Sequence, residues 1–238
     1  MAMTHADKYK YARKASYGEI IRKDCYGLNN WSNNFFDAII DIGANVGVFV
    51  LYAHMRHPKA RIFAYEPCKE AFEMLIEGLN YLENISYFNE ALADGSQLEF
   101  CDTTWLPCNV FFKKGENPSL ASCSSSYLVN SKSLSQMFDE NKIDLKTKYY
   151  IKIDCEGGER FLLPDKTSIS VIRGSEGSGI EIHFPHGRKT HERFKSFPEW
   201  KTYNDWINDN FKQTHNIIYH CSSKIRGAGV YLLTKKHT

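Results

Sequence analysis

The sequence predicts an α/β fold, a mainly parallel sheet with helices on both faces. Two observations carry this. Asp37–Phe49 reads DAIIDIGANVGVF, an apolar strand running into a glycine turn and then a helix. Beyond it, apolar strand-like runs alternate with segments of helical spacing over most of the 238 residues.

The elements follow in order. Residues 1–36 precede the first strand and read as a helical cap or lid, with Tyr9, Tyr11, Tyr17 and Ile20–Ile21 as its apolar points. Residues 37–238 read as one domain. Asp37–Ile42 is the first strand and Val48–Met55 opens the first helix. Arg61–Tyr65 is the second strand, closed by Glu66 and Pro67, since proline cannot donate to a ladder. Phe72, Leu75, Ile76 and Leu79 have helical spacing. Ile85–Leu92 is a third strand with its exit. Asp94–Gly95 is a turn, and Ser96–Phe100 alternates like a hairpin strand. Thr103–Ser126, with Pro107, Gly115, Pro118 and a serine run, is the least regular stretch and reads as a functional or flexible loop. A short helix at Ser133–Asn141 precedes the strand Tyr149–Ile153. The helix starting at Glu159 stops near Pro164, and Ser178–Phe184 is a further strand. Tyr203–Phe211 places Trp206, Ile207 and Phe211 on one helical face. Asn216–Tyr219 and Gly229–Leu233 close the chain as two strands.

Composition sets limits. Charged residues make up 24% and the net charge is +2, so no global field draws the chain to nucleic acid or membrane. The seven cysteines include no C-x-x-C pair, which argues against a disulfide framework or zinc ribbon and for a reducing compartment. The first residues are polar, without a signal-peptide core, and no apolar run approaches membrane-spanning length. An intracellular, cytoplasmic protein is expected.

The glycine turn narrows the ligand. Gly43-Ala44-Asn45-Val46-Gly47 lacks the middle glycine of the dinucleotide fingerprint, the one that lets backbone lie against a pyrophosphate. S-adenosylmethionine has no pyrophosphate and needs no such glycine. Asp41, beside the turn, would repel phosphate and suits a cationic ligand. Glu66, about 20 residues past the glycines, is placed to accept hydrogen bonds from ribose hydroxyls. No Gly-Lys-Ser/Thr follows the turn, which excludes a Walker phosphate loop. An NAD-dependent oxidoreductase is disfavoured by the missing glycine.

Polar residues at the predicted strand ends are Asp41, Glu66, Asn89, Asp154, Glu156, Glu181 and His183, where ligands of open α/β sheets sit. Transfer of a group from such a donor to a protic nucleophile needs alignment and a way to remove a proton. His183 is the candidate base, because histidine titrates near neutrality; a plain structural histidine is the alternative. Asp154 and Glu156 can orient the acceptor, assist the base or cap a helix. Glu181 and His183 share a strand face, and with Asp154 they form a candidate divalent-metal set. Lys152 shares the face of Asp154 and joins the catalytic candidates. Lysines and acids at such strand ends also occur in RNA-cap ribose methyltransferases, which keeps RNA as a rival acceptor. The basic residues between His186 and Lys195 read as an anion grip or as a solvated loop. Cys155 reads as packing.

Several stretches together resemble the FkbM-type S-adenosylmethionine-dependent methyltransferases. They are IIDIGANVGVF at Ile39–Phe49, FAYEP at Phe63–Pro67, NEALAD at Asn89–Asp94, the serine cluster before Tyr127, YIKIDCEGGE at Tyr150–Glu159 and IEIH at Ile180–His183. Gly158 stands where that family more often has alanine. The resemblance implies a Rossmann-like seven-stranded sheet with an antiparallel last strand. It also implies O-methylation of a sugar, glycan, polyketide or similar small molecule. It assigns Gly43, Ala44, Asn45, Gly47, Glu66, Pro67, Asn89, Glu90 and Ala91 to cofactor binding. An RNA ribose methyltransferase and a cofactor-binding scaffold domain that has lost catalysis are the competing readings.

Overall fold

The computed structural model describes residues 5–103, 110–113, 123–183, 200–223 and 228–237. Seven strands form the main sheet: β1 (Ala38–Ile42), β2 (Arg61–Tyr65), β3 (Ile85–Phe88), β8 (Tyr149–Ile153), β9 (Gly177–His183), β10 (His215–Ser223) and β11 (Ala228–Lys235). Their spatial order is β10-β11-β9-β8-β1-β2-β3. The strands β9, β8, β1, β2 and β3 run parallel, whereas β11 is antiparallel to both of its neighbours. The expected antiparallel last strand is thus present.

Burial explains why the apolar runs became central strands. All five residues of β1 and of β8 are buried, as parallel strands covered on both faces must be. Alternate residues feed two cores. Ile39 and Tyr150 pack with Val50 and Leu75, from α2 (Val48–Arg56) and α3 (Lys69–Leu79). Tyr26, Leu28 and Phe36, from the segment before β1, join that same core. Ile40 and Ile151 face the other way, onto α4 (Leu134–Glu140), α6 (Lys166–Gly174) and α7 (Trp200–Phe211). The N-terminal segment contains α1 (His5–Tyr17) and a π-helical turn, Gly18–Arg22.

The structure departs from the sequence expectation in three places. The stretch read as irregular contributes strands to a second sheet, β4-β7-β5-β6, with β4 at Ala91–Leu92, β5 at Gln97–Thr103, β6 at Val110–Lys113 and β7 at Cys123–Lys132. The serine run Ser124–Ser126 is therefore strand, paired to β5, and Ser126 Oγ donates to Glu99 Oε1 at 2.7 Å. Helix α6, which the sequence reading did not anticipate, is capped by Asp165, whose Oδ2 accepts from Ser168 N at 2.8 Å. Third, Cys101 is disulfide-bonded, against the expectation of reduced thiols throughout; Cys25 and Cys155 carry free thiols. The basic stretch 186–195 lies outside the described residues. Among the described residues no helix is long and apolar enough to cross a membrane.

Candidate active site

The glycine turn joins β1 to α2, and its backbone donors are all engaged. Gly43 N and Ala44 N both donate to Tyr65 O at 3.0 Å, and Gly47 N donates to Ala44 O at 2.9 Å. Asn45 N donates to Glu66 Oε2 and Val46 N to Asn45 Oδ1, each at 2.8 Å. A loop that cradles pyrophosphate must leave such N–H groups free. This one does not. Gly43 is needed for space as well as for its φ of +79°: a Cβ there would stand 1.8 Å from Asp154 O. The turn therefore lies directly against the end of β8.

Glu66 holds the turn from the second strand. Its other oxygen, Oε1, accepts from Cys68 N at 2.8 Å. Burial raises its carboxyl to about 7, against the pull of those two backbone donors. Asn89 braces the same exit, donating to Glu66 O at 2.8 Å and to Pro67 O at 3.1 Å. Gly43, Pro67, Glu90 and Ala91 line one narrow cavity with Cys155 and Gly158. Four residues assigned from separate stretches of sequence thus share one wall.

Asp41 and Lys152 are neighbours in register on β1 and β8. Asp41 is 0% exposed and Lys152 2%. Lys152 Nζ lies 3.0 Å from Asp41 Oδ1, 3.6 Å from Asp154 Oδ2 and 2.6 Å from Gly43 O, to which it donates. The Tyr26 and Phe49 rings lie 5.6 and 5.9 Å from the ammonium. Burial alone would strip its proton, but Asp41 and Asp154 outweigh that and hold Lys152 firmly charged. Asp41 is paired with an internal cation, and Lys152 is buried with its ammonium turned to Asp41, Asp154 and Gly43. Strand parity was read correctly; depth below the surface was not readable.

The second half of the site gathers around His183, at the end of β9. Its Nδ1 lies 2.9 Å from Glu159 Oε1. Glu159 is 1% exposed and also accepts from Cys155 N at 3.2 Å and Gly157 N at 2.8 Å. The imidazole is thereby fixed, with Nε2 turned toward Glu156 Oε2 at 3.5 Å, Asp154 Oδ1 at 3.7 Å and Glu181 Oε1 at 3.8 Å. Burial works against the imidazolium, yet Glu156 and Glu159 overcome it and raise His183 well above its ordinary range. The surrounding acids therefore favour the protonated form of the ring. Burial and the neighbouring charges raise Glu156 to about 8.

Tyr26 completes the cluster. Its hydroxyl lies 2.7 Å from Asp154 Oδ2 and 2.8 Å from Glu181 Oε2. The phenol has one proton to share between the two carboxylates. Burial and Asp154 raise Glu181 to about 7, so it is the one more readily protonated. Burial presses Asp154 upward too, but Lys152 and His183 reverse this and keep it ionised. Sequence reasoning missed two members of the site. Glu159 was visible in K-I-D-C-E-G-G-E but read as a helix start; Tyr26 gave no signal. One ligand atom each from Asp154, Glu156 and His183 lie within 4.8 Å of one another, a spacing open to a cation.

The profile of the methyltransferase FkbM domain matches residues 41–213. The methyltransferase sdnD of Sordaria araneosa is 40% identical over 63 residues, 26% of this chain and 24% of that protein. The 31-O-demethyl-FK506 methyltransferase FkbM of Streptomyces tacrolimicus is 37% identical over 59 residues, 25% of this chain and 23% of that one. The aligned part of the chain thus spans about a quarter of the length of these curated relatives. Among solved structures, a SAM dependent methyltransferase from Aquifex aeolicus is similar with a TM-score of 0.41 and 12% identity, over 98% of this chain and 99% of that chain. The family profile runs from Asp41 through the glycine turn, Glu66 and Asp154–Glu159 to beyond His183, and the chain belongs to the family of FkbM-domain methyltransferases.

Proposed function

We propose that the chain transfers the methyl group of S-adenosylmethionine to a hydroxyl of a small-molecule acceptor, a sugar or a related compound. The observation that carries this is the contact of Gly43 with the Asp154 carbonyl, which sets a nucleoside-type turn against a cluster of proton-handling side chains. The residues fit the donor. Gly43, Pro67, Glu90 and Ala91 form a wall for it, and Glu66 stands at the exit of the second strand beside that wall. The saturated N–H groups of the turn disfavour NAD. When bound, S-adenosylmethionine supplies a methyl group on a sulfonium, open to in-line attack.

The acceptor side is the chain's own work. Asp154, kept ionised, has its Oδ1 on the side of His183 Nε2 and accepts the proton of the attacking hydroxyl. Tyr26 holds its other oxygen, and Glu159 fixes the orientation of His183. Asp154, Glu156 and His183 would hold a divalent cation if one binds, and such an ion would lower the proton affinity of the acceptor hydroxyl. Glu181, expected among its ligands, instead shares the Tyr26 hydroxyl. Calorimetry with S-adenosylhomocysteine and NAD tests the donor; NAD binding without a response to the sulfur compound would sink the proposal. A methyl-transfer assay over nucleotide sugars, glycosides and capped RNA ranks acceptors. Repeating it with a chelator settles the ion: full turnover removes the cation site.

A further inference from the structure

We propose that Tyr26 is a positioning residue for methyl transfer: its hydroxyl, set between Asp154 and Glu181, holds the Asp154 carboxylate with Oδ1 on the side of His183. The inference rests on the methyl-transfer reading for the reaction and on separate observations for the placement. Asp154 carries its carboxylate on a short side chain whose terminal torsion is broad, so the group turns easily unless something holds it. Lys152 Nζ and His183 Nε2 flank it at 3.6 and 3.7 Å, beyond ordinary hydrogen-bond length. The Tyr26 hydroxyl makes the shorter contact, 2.7 Å to Oδ2, and stands 2.8 Å from Glu181 Oε2. Without that hydroxyl two carboxylates face one gap, where like charges push apart.

The chain is built to bring this phenol in. Tyr26 is 3% exposed and precedes the first strand. The turn around it is fixed by Asp24, which accepts from Leu28 N at 2.9 Å and Asn29 N at 2.8 Å. Asp24 is itself held from α2, where the Tyr52 hydroxyl donates to it at 3.1 Å. The Tyr150 hydroxyl donates to Tyr26 O, which ties the residue to β8. The Tyr26 ring meets Phe49 of α2 edge to face, with 5.6 Å between centres. Beside it on β9 is Gly179, where a Cβ would stand 3.0 Å from Tyr26 Cβ. A tyrosine that only fills a core needs one acceptor for its hydroxyl, as Tyr149 finds in Val171 O. At Tyr26 two carboxylates from the ends of different strands converge on the hydroxyl. Tyr26 also lies ahead of residues 41–213, the part matched by the family profile. The acceptor end of the site is therefore finished by a segment outside that shared part.

The test measures turnover of Tyr26→Phe, in the full chain, on the acceptor that ranks first among nucleotide sugars, glycosides and capped RNA. A carboxylate that has lost its orientation should lower kcat by about 10–100-fold. The KM for S-adenosylmethionine and the calorimetric affinity for S-adenosylhomocysteine should match those of the unaltered chain, which also reports that the variant folds. Installing 4-aminophenylalanine at position 26 keeps the ring and supplies N–H donors, so it should restore most of the turnover. Unchanged turnover of Tyr26→Phe overturns the inference. So does an equal loss with phenylalanine and with 4-aminophenylalanine, or a fall in S-adenosylhomocysteine affinity that matches the fall in turnover. A crystal structure of Tyr26→Phe gives a reading that needs no acceptor. Asp154 Oδ1 should leave its place 3.7 Å from His183 Nε2, and an unmoved carboxylate overturns the inference. Failure of the unaltered chain to bind S-adenosylhomocysteine, or to methylate any member of the panel, counts against the methyl-transfer reading instead, and the crystal structure then decides the placement alone.

Discussion

Replacing Lys152 by methionine isolates the brace beneath the site. The substitution keeps an unbranched apolar stem and deletes the ammonium. Three groups lose the ammonium at once: Asp41 Oδ1 at 3.0 Å, Gly43 O at 2.6 Å and Asp154 Oδ2 at 3.6 Å, the last keeping its Tyr26 hydrogen bond. Asp41 is fully buried, so its carboxylate is left without solvent or cation. Burial already presses that carboxyl upward, and Lys152 is what opposes it. Breaking a buried pair from one side costs about 3–5 kcal/mol. For a domain of roughly this size each kcal/mol moves the melting point by about 2–4 °C, so a fall of about 6–20 °C is expected. Urea unfolding followed by tryptophan fluorescence measures it, with an unchanged slope showing that the transition itself is the same. Adding Asp41→Asn removes the stranded charge and should restore at least half of the loss. The reasoning fails if Lys152→Met costs less than about 1 kcal/mol, which is within the range of an exposed pair. It fails equally if the double variant is no more stable than the single one.

Three further outcomes follow from the same geometry. Gly43→Ala forces a Cβ to 1.8 Å from Asp154 O at a φ of +79°, so the turn and β8 must part; S-adenosylhomocysteine binding should disappear, and calorimetry showing native affinity would refute the contact. Glu159→Gln loosens the ring of His183 without touching the donor wall, so turnover should drop about 10–100-fold, as for other orienting partners of histidine, while S-adenosylhomocysteine affinity stays unchanged. Glu66, raised from 4.5 to about 7, retains its proton on folding where an unfolded chain has released it. Its contribution is therefore present at low pH and falls as pH climbs from 4.5 to about 7; chemical denaturation across that window should show a decline that Glu66→Gln flattens.

The main sheet was legible because its strands are buried on both faces. Ala38–Ile42 and Tyr149–Ile153 are apolar runs bounded by turn residues, and that signal survives without knowledge of neighbours. The second sheet was not legible. Cys123–Lys132 begins with serines whose low strand preference hides a β7 that exists because β5 pairs with it. The same division runs through the site. The carboxyls at Glu66, Asp154 and Glu156 follow from where strands end. The partner of His183 does not, since Glu159 lies 24 residues away and an acid at the start of a helix already has a local explanation. Tyr26 is harder still: it arrives from before the first strand, and only the fold brings its hydroxyl to residues 128 and 155 positions later.

The acids of this site divide into two kinds, and the division argues for where chemistry occurs. Asp41 has Lys152 as its nearest cation, shared with Asp154, and aromatic rings lie beside the ammonium. Around His183 the count is different. Asp154, Glu156, Glu159 and Glu181 all stand within 3.8 Å of one imidazole, which offers at most one positive charge. Two of them relieve the crowding by binding protons near neutrality, Glu156 at about 8 and Glu181 at about 7. A cluster serving stability alone would gain from losing a carboxyl, because uncompensated buried charge is destabilising. Excess acid at the ends of β8 and β9, pressed against the donor turn, supports a place where protons or a cation are handled.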